Sequence, residues 1–153
     1  MFKINRLTDY STVVMSYLAV EPKKVHNAKD ITLHTHINQP TVSKILKMLA
    51  KAKLLISHRG INGGYQLAKS PENISISEVV IAIEGMVGLT ECSMNHSNCN
   101  IQNVCHIRSN WRHISDIIQQ MLQNITLADL AKPMLPSEMH IRANLNKSSK
   151  EVS

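Results

Sequence analysis

The chain has 153 residues, the size of one ordinary domain or of a small domain with an added dimerisation element. Hydrophobic residues make up 43% of it and aromatic residues only 3%, so we expect a folded core of aliphatic side chains and methionine. No apolar run approaches the ~18 residues of a membrane helix, and the N-terminus lacks the apolar stretch of a signal peptide. We therefore expect a cytoplasmic protein with no membrane partner.

The positive charge is concentrated in one part of the chain. The net charge is +6, yet residues 23–69 alone carry nine lysines or arginines against one acid, a local charge of +8. Residues 91–135 are neutral, with three bases against three acids. This asymmetry predicts a polyanionic partner for the first half of the chain, although an ordinary solvated surface would also account for the charge.

Two short amphipathic segments open the chain. Thr8 and Asp9 are placed to cap a first helix, which ends at Glu21 and Pro22. Its apolar stripe follows helical spacing and consists of Tyr10, Val13, Val14, Tyr17 and Leu18. Asn27 is predicted to cap a second helix. The apolar positions of that helix are Ala28, Ile31 and Leu33.

A third helix is predicted to begin near Pro40, after a turn at residues 36–38. Its inward positions are Val42, Ile45, Leu46 and Leu49. Its outward positions are polar or basic, namely Thr41, Ser43, Lys44 and Lys47. Two short helices joined by a tight turn, the second basic on its free face, are typical of a helix-turn-helix. Bases of DNA would be contacted by Thr41, Ser43 and Lys44, and a phosphate by Lys47.

The segment after this helix predicts a β-hairpin. Residues 54–56 and 65–67 suit two strands, and residues 58–64 between them contain three of the five glycines. A hairpin that directly follows a recognition helix is a wing. Its glycines, Gly60 among them, would let the tip approach a phosphate backbone, and Arg59 is placed to enter a minor groove. In another context Arg59 would be an ordinary exposed arginine.

A further short helix, from Ser77 to a stop at Gly85, completes a winged helix-turn-helix domain over residues 1–85. The expected fold is therefore mainly α with a small β-hairpin.

A long helix over about residues 107–124 forms the second part of the chain. Its apolar residues are spaced by three and four and form a seam of Trp111, Ile114, Ile118, Met121 and Ile125. Such a seam needs a partner, and we expect the same helix of a second subunit. Residues 106–135, including a final short helix capped by Thr126, would form the dimerisation region. Residues 136–153 are a polar tail, predicted to be disordered.

All three cysteines lie in residues 86–105, between the two parts of the chain. Cys92, Cys99 and Cys105 are separated by six and five residues, whereas structural zinc sites favour pairs with two to four between them. An odd number of cysteines in a reducing compartment argues against a disulfide framework. Thiolates spread in this way suit a larger group such as an iron–sulfur cluster. Zinc binding and inert thiols remain as alternatives.

The order of these features resembles the Rrf-two family of bacterial regulators, whose iron–sulfur members include IscR and NsrR. The matching motifs are LTDY at residues 7–10 and HRGINGGY at residues 58–65, together with the three cysteines and Trp111. The resemblance covers about residues 1–133. Three segments are most similar to regulators of the SUF cluster-assembly operon: TVSKILK at 41–47, LTECS at 89–93 and RSNW at 108–111.

This resemblance implies a homodimeric repressor of iron–sulfur assembly (SUF) genes that binds a partly palindromic DNA operator. Cys92, Cys99 and Cys105 would ligate the cluster, for which we favour a 2Fe–2S over a 4Fe–4S form, and cluster occupancy would change DNA affinity. The alternative is a cluster-free regulator that senses thiol redox state or binds zinc. An enzyme is not expected, because the chain lacks a nucleotide loop, a nucleophile elbow and a carboxylate cluster.

The chain departs from the family pattern at two positions. Arg108 stands where IscR-type proteins have a ligating histidine. This leaves the fourth ligand open between Asp9, as in NsrR-type proteins, His106, and no protein ligand at all. For Asp9, the helix-capping role is an equally good interpretation. Position 43 is serine rather than the acid of IscR, so operator preference is not transferred.

Overall fold

The computed structural model describes residues 4–85, 89–90 and 105–132. Within these ranges the chain is mainly helical with one two-stranded antiparallel hairpin, which confirms the predicted fold class. The elements are α1 (Arg6–Val20), α2 (Ala28–Thr35), α3 (Gln39–Lys51), β1 (Leu55–His58), β2 (Gly64–Leu67), a 3₁₀ turn (Pro71–Asn73), α4 (Ile76–Glu84), α5 (Arg108–Asn124) and α6 (Leu127–Leu130). No helix of this described part is both long and apolar enough to span a membrane.

Helix α1 begins earlier than the sequence suggested. Its N-cap is Asn5, whose side chain accepts a hydrogen bond from the Leu7 amide at 3.0 Å. The capping role predicted for Thr8 and Asp9 is therefore wrong. Thr8 is fully buried and its hydroxyl donates to the Glu84 carboxylate on α4. Asp9 lies exposed in the first helical turn.

The apolar stripe of α1 is also rotated relative to the prediction. Val14 and Leu18 are buried as expected, but Val13 is exposed and its place in the core is taken by Met15. The buried face also includes Thr8 and Ser11, two hydroxyl residues that a search for apolar spacing does not count.

Helices α2 and α3 form the helix-turn-helix. Asn27 caps α2, as predicted, by accepting from the Asp30 amide at 2.9 Å. His36 ends α2 in the left-handed conformation, with φ 56°. Asn38 then caps α3, and Pro40 lies in its first turn. Leu33 was expected inside but is 71% exposed, because the short α2 presents only Ile31 fully to the core.

The inward face of α3 is as predicted, with every expected position fully buried: Val42, Ile45, Leu46 and Leu49. These side chains join one cluster with residues of α1, the hairpin and α4, including Val14, Leu18, Leu67 and Val79. The core thus lies beneath the recognition helix and fixes its orientation.

The hairpin is joined to the segment before α2, a contact that the sequence did not reveal. Tyr65 of β2 exchanges two backbone hydrogen bonds with His26, at 2.8 and 2.9 Å. A Cβ atom on the adjacent Gly64 would lie 2.4 Å from the His26 carbonyl oxygen. Glycine at this position therefore permits the close approach of the two backbones.

The chain returns to this core after α5. Leu127 of α6 is fully buried, and its amide donates to the Ile74 carbonyl at 2.8 Å. The Ile76 amide in turn donates to the Ile125 carbonyl at 2.9 Å. Helix α4 is capped by Ser75, rather than opening at Ser77, which is buried.

Candidate nucleic-acid interface and cysteine site

The outward face of α3 carries the predicted DNA contacts. Lys44 and Lys47 are exposed, and Thr41 and Ser43 are partly exposed. Thr41, Lys44 and Lys47 follow one another at intervals of three residues, on the side of the helix opposite its buried row. The structure thus places these four side chains on one accessible surface, where hydroxyl donors and ammonium groups can reach a groove and its phosphates.

Gln39 is a candidate contact that the sequence analysis missed. It is the first residue of α3 and is exposed. The N-terminal residues of a recognition helix are those that reach base edges, and a glutamine amide can pair with adenine. The signal was available, because Asn38 is a good helix cap and Pro40 marks the first turn.

The basic surface is largely free of internal ion pairs. In the described ranges only two of the nine basic residues of 23–69 are paired, Lys24 with Glu21 at 2.7 Å and Lys69 with Glu78 at 2.8 Å. The first pair is fully exposed; its hydrogen bond lowers the pKa of Glu21 and raises the pKa of Lys24. The remaining charges, including those on α3, are available to a polyanion.

The wing presents Arg59 and Gly60 at its exposed tip. Gly60 has φ +111°, a conformation that favours glycine, and there is open space around it. Gln66 braces the hairpin at its base: its side-chain amide donates to the Lys23 carbonyl at 2.8 Å, and its carbonyl oxygen lies 3.1 Å from His58 Nε2. Arg59 forms no ion pair with any residue that the structure describes.

Of the three cysteines, the structure describes Cys105. It is partly exposed and lies three residues before the start of α5. Cys92 and Cys99 lie outside the described residues, so the ligand set remains a prediction. Among the residues with described positions, no three potential ligands are clustered closely enough to hold a metal ion.

The two candidates for a fourth ligand are both exposed. Asp9 projects from the first turn of α1, and its carboxylate makes no hydrogen bond or ion pair to the described part of the chain. His106 follows Cys105 directly and is also exposed. Arg108, at the position of the IscR-type histidine, is the first residue of α5.

The apolar surface of helix α5 is partly buried against the rest of the chain and partly exposed. Trp111 and Ile118 of the predicted seam are partly buried, whereas Ile114 and Met121 are exposed by 41% and 49%. Ile117, which the sequence analysis left out, is 45% exposed and lies beside them. The exposed half of the seam is therefore a row of Ile114, Ile117 and Met121, hereafter the α5 row.

A helix-turn-helix followed by a β-hairpin, with a free basic surface on the second helix and the hairpin tip, defines a winged helix-turn-helix DNA-binding protein. The sequence model of the Rrf2 family, described as an iron-dependent transcriptional regulator, matches residues 4–133. The chain belongs to this family, as the motifs at residues 7–10 and 58–65 predicted. It is a DNA-binding transcriptional regulator and not an enzyme.

Individual relatives agree with this assignment. The chain is 32% identical over 130 residues to the transcriptional regulator NsrR of Halalkalibacterium halodurans, covering 84% of this chain and 89% of that protein. The structure of CymR, the global cysteine regulator of B. subtilis, is similar with a TM-score of 0.66 and 25% identity, covering 86% of this chain and 97% of that one. IscR of T. potens gives a TM-score of 0.62 and 26% identity, over 91% and 96% of the two chains.

Proposed function

We propose that this protein is a homodimeric, cytoplasmic repressor of iron–sulfur cluster assembly (SUF) genes. It senses cluster supply through an iron–sulfur cluster held by Cys92, Cys99 and Cys105. The observation that carries the proposal is the position of Cys105: a partly exposed thiol at the start of α5, in a family described as iron-dependent. A change at the cysteine loop thus acts directly on the start of the proposed dimer helix.

The donor set fits a cluster. Three thiols in one short segment supply the ligand type that iron–sulfur clusters prefer, and the exposure of Cys105 leaves its sulfur accessible to iron. When bound, the cluster supplies a redox-active and labile group whose presence reports cluster supply. We favour a 2Fe–2S form, and the thiolates would fix the loop relative to α5.

Asp9 is the stronger candidate for the fourth ligand. The competing explanation for this residue was a helix cap, and Asn5 fills that role. An exposed carboxylate with no partner among the described residues is available to bind metal, and in a dimer it can serve the cysteine segment of the other subunit. Asp9→Ala should then alter the absorption spectrum of the bound cluster. If only His106→Ala alters it, His106 is the ligand and the assignment of Asp9 is wrong.

The α5 row supports the homodimer. Apolar side chains at helical spacing, exposed on a helix whose other side packs against its own domain, are suited to pairing with a second copy of α5. Pairing of this kind sets two recognition helices at a fixed separation, which a partly palindromic operator requires.

The path of the chain suggests how the cluster controls DNA binding. Helix α5 begins three residues after Cys105, and beyond its end the backbone at Ile125 and Leu127 is hydrogen-bonded to the segment that opens α4. Binding of a cluster by the three cysteines would therefore set the angle between α5 and the winged domain. That angle determines the separation of the recognition helices in the dimer, and hence operator affinity.

Operator contacts are assigned to the surface already described. Thr41, Ser43 and Lys44 would read bases, joined by Gln39, while Lys47 and the wing residues Arg59 and Gly60 would contact the backbone and the minor groove.

The test of the cluster is anaerobic purification followed by visible absorption spectroscopy and iron and sulfide analysis. We expect a coloured protein with iron and acid-labile sulfide. Cys99→Ala should lose both, whereas Asn100→Ala, a neighbouring change that removes no thiol, should keep them. A colourless, iron-free wild-type protein after strict anaerobic handling would refute the cluster.

A second candidate function is a cluster-free regulator that responds to thiol oxidation or binds zinc. The similarity to CymR, described as a cysteine regulator, favours it. In that case the anaerobic protein would contain no iron, and thiol titration would show reversible oxidation of the cysteines or elemental analysis would show zinc.

A further inference from the structure

The tip of the wing carries an apolar side chain with no cover. Ile61 is 105% exposed, more than any other large hydrophobic residue in the described ranges. The next most exposed, Val20 and Leu33, lie on helices at 77% and 71%. A single exposed hydrophobic residue is common on protein surfaces, so exposure alone would require no explanation.

The local structure makes isoleucine an unusual choice here. The Gly63 amide donates to the Gly60 carbonyl at 3.0 Å, which defines a four-residue turn with Ile61 and Asn62 at its centre. Central turn positions favour glycine, proline, asparagine, aspartate and serine. A β-branched apolar residue gains nothing from the turn and makes no packing contact. A contact outside the described residues would give this side chain a role that the turn does not.

The turn is held in a defined place. Tyr65 is hydrogen-bonded to His26, Gln66 donates to the Lys23 carbonyl, and Gly64 lies tightly against the His26 backbone. These contacts join the wing to the segment that leads into α2 and the recognition helix. The tip therefore has a fixed position relative to α3. In the proposed function, DNA lies against α3 and within reach of this tip.

Ile61 is two residues from Arg59, the side chain assigned to the minor groove. Proteins that enter this groove combine arginine or lysine with apolar side chains that contact base steps and sugars. We propose that Ile61 is a second minor-groove contact, an apolar side chain that packs against deoxyribose and base edges beside Arg59. The proposal rests on the proposed DNA-binding role of the wing and adds a contact that does not depend on charge.

An apolar contact and an ionic contact differ in their response to salt. Loss of a cationic side chain bound to DNA, in a groove or at a phosphate, reduces the slope of log affinity against log salt by about one, because fewer counterions are released. Loss of an apolar contact weakens binding by the same factor at every salt concentration. Ile61→Ala should therefore lower affinity about tenfold with an unchanged slope. Arg59→Ala should lower both affinity and slope.

The experiment uses the full-length, anaerobically purified protein and a fluorescein-labelled duplex that the wild-type protein selects from a random pool. Binding is measured by fluorescence anisotropy over a series of KCl concentrations, and circular dichroism confirms that each variant is folded. Val20→Ala removes a comparably exposed apolar side chain from the end of α1, distant in sequence from the wing, and should bind as the wild type does. Ile61→Leu should retain most of the affinity.

The outcomes separate the two proposals. If Arg59→Ala weakens binding while Ile61→Ala does not, the wing contacts DNA but Ile61 does not contribute. If Ile61→Ala changes the slope as Arg59→Ala does, its effect is not an apolar contact. If neither variant weakens binding, the DNA-binding role of the wing itself is wrong.

Discussion

At the scale of single residues, Gly64 shows how one atom limits the choice of amino acid. The backbone of β2 approaches His26 so closely that any Cβ would overlap its carbonyl group, at 2.4 Å from the oxygen. The neighbouring atoms are backbone atoms held by two hydrogen bonds to Tyr65 and cannot move aside without breaking them. The wing and the helix-turn-helix therefore depend on this glycine to stay in register.

We predict that Gly64→Ala lowers the free energy of unfolding by about 2 kcal/mol or more, because the clash forces the hairpin away from His26. Ser57→Ala, at an exposed position of β1, should change it by less than about 0.5 kcal/mol. Urea denaturation of both variants and the wild type measures the difference. Equal midpoints for Gly64→Ala and wild type would show that the hairpin does not depend on this contact.

The glycines also show what sequence reasoning can miss at this scale. All three glycines of the tip were interpreted as allowing approach to a phosphate backbone, but Gly64 is explained by a contact within the protein. That contact joins residues far apart in the chain, and no local pattern signals it. Thr8 is a similar case: its hydroxyl was expected at a helix cap and instead meets Glu84.

At the scale of elements, α4 illustrates how a helix start is stabilised. Ser75 and Glu78 form a capping box, and Glu78 also pairs with Lys69 at 2.8 Å. Burial of Glu78 raises the pKa of its carboxyl, but the hydrogen bonds from Lys69 and Ser75 outweigh it and hold the pKa below its ordinary value. A carboxyl with a lowered pKa stabilises the fold above its unfolded-state pKa, and the stabilisation is lost as the pH falls through the folded-state value.

Glu78→Gln should therefore lower the free energy of unfolding by about 0.5 kcal/mol at neutral pH, after allowance for solvent screening of a partly exposed group. The difference from wild type should vanish once the pH falls below the lowered folded-state pKa of Glu78, where both side chains are neutral. Glu72→Gln, an exposed change in the 3₁₀ turn, should have no effect at either pH. Denaturation curves across pH test this, and a difference that persists in acid would assign the effect to packing rather than to charge.

Helix α5 is the element whose surface the periodicity predicted only in part. The spacing predicts one seam, but Trp111 and Ile118 of that seam are partly buried against the rest of the chain. The exposed row contains Ile117, which the predicted seam lacks. Periodicity identifies the apolar side of a helix; it does not show how that side is shared between two neighbours.

The first residue of a helix is also hard to predict from the sequence, because Asn5 and Thr8, or Ser75 and Ser77, are equally good caps by residue type.

If the α5 row is the dimer interface, Ile117→Glu should weaken dimerisation at least a hundredfold, because a carboxylate would be buried without a partner. Gln123→Glu adds the same charge on α5 at an exposed position away from this row, and should leave the dimer intact. Sedimentation velocity over a range of concentrations measures both. A wild-type monomer, or an Ile117→Glu dimer of unchanged affinity, would exclude this interface.

At the scale of the whole molecule, α6 ties the far end of α5 to the winged domain. Leu127 is part of the same core as the recognition helix, and the backbone beside it is bonded to the start of α4. The sequence predicted the winged domain, the long helix and the cysteine segment from periodicity, glycine placement and charge. It did not predict that the final short helix returns to that core, because the paired residues Ser75 and Thr126 lie 51 positions apart in the chain and no local pattern signals their contact.

If the cysteine segment controls DNA binding through its cluster, the loaded protein and a protein that cannot bind the cluster must differ in operator affinity. Anisotropy titration of the selected duplex is carried out anaerobically with the cluster-loaded wild type and with Cys99→Ala. A repressor of cluster assembly must bind best when clusters are abundant, so the loaded protein should bind at least about tenfold more tightly, a coupling of about 1.4 kcal/mol. Equal affinity, or tighter binding by Cys99→Ala, would contradict the account.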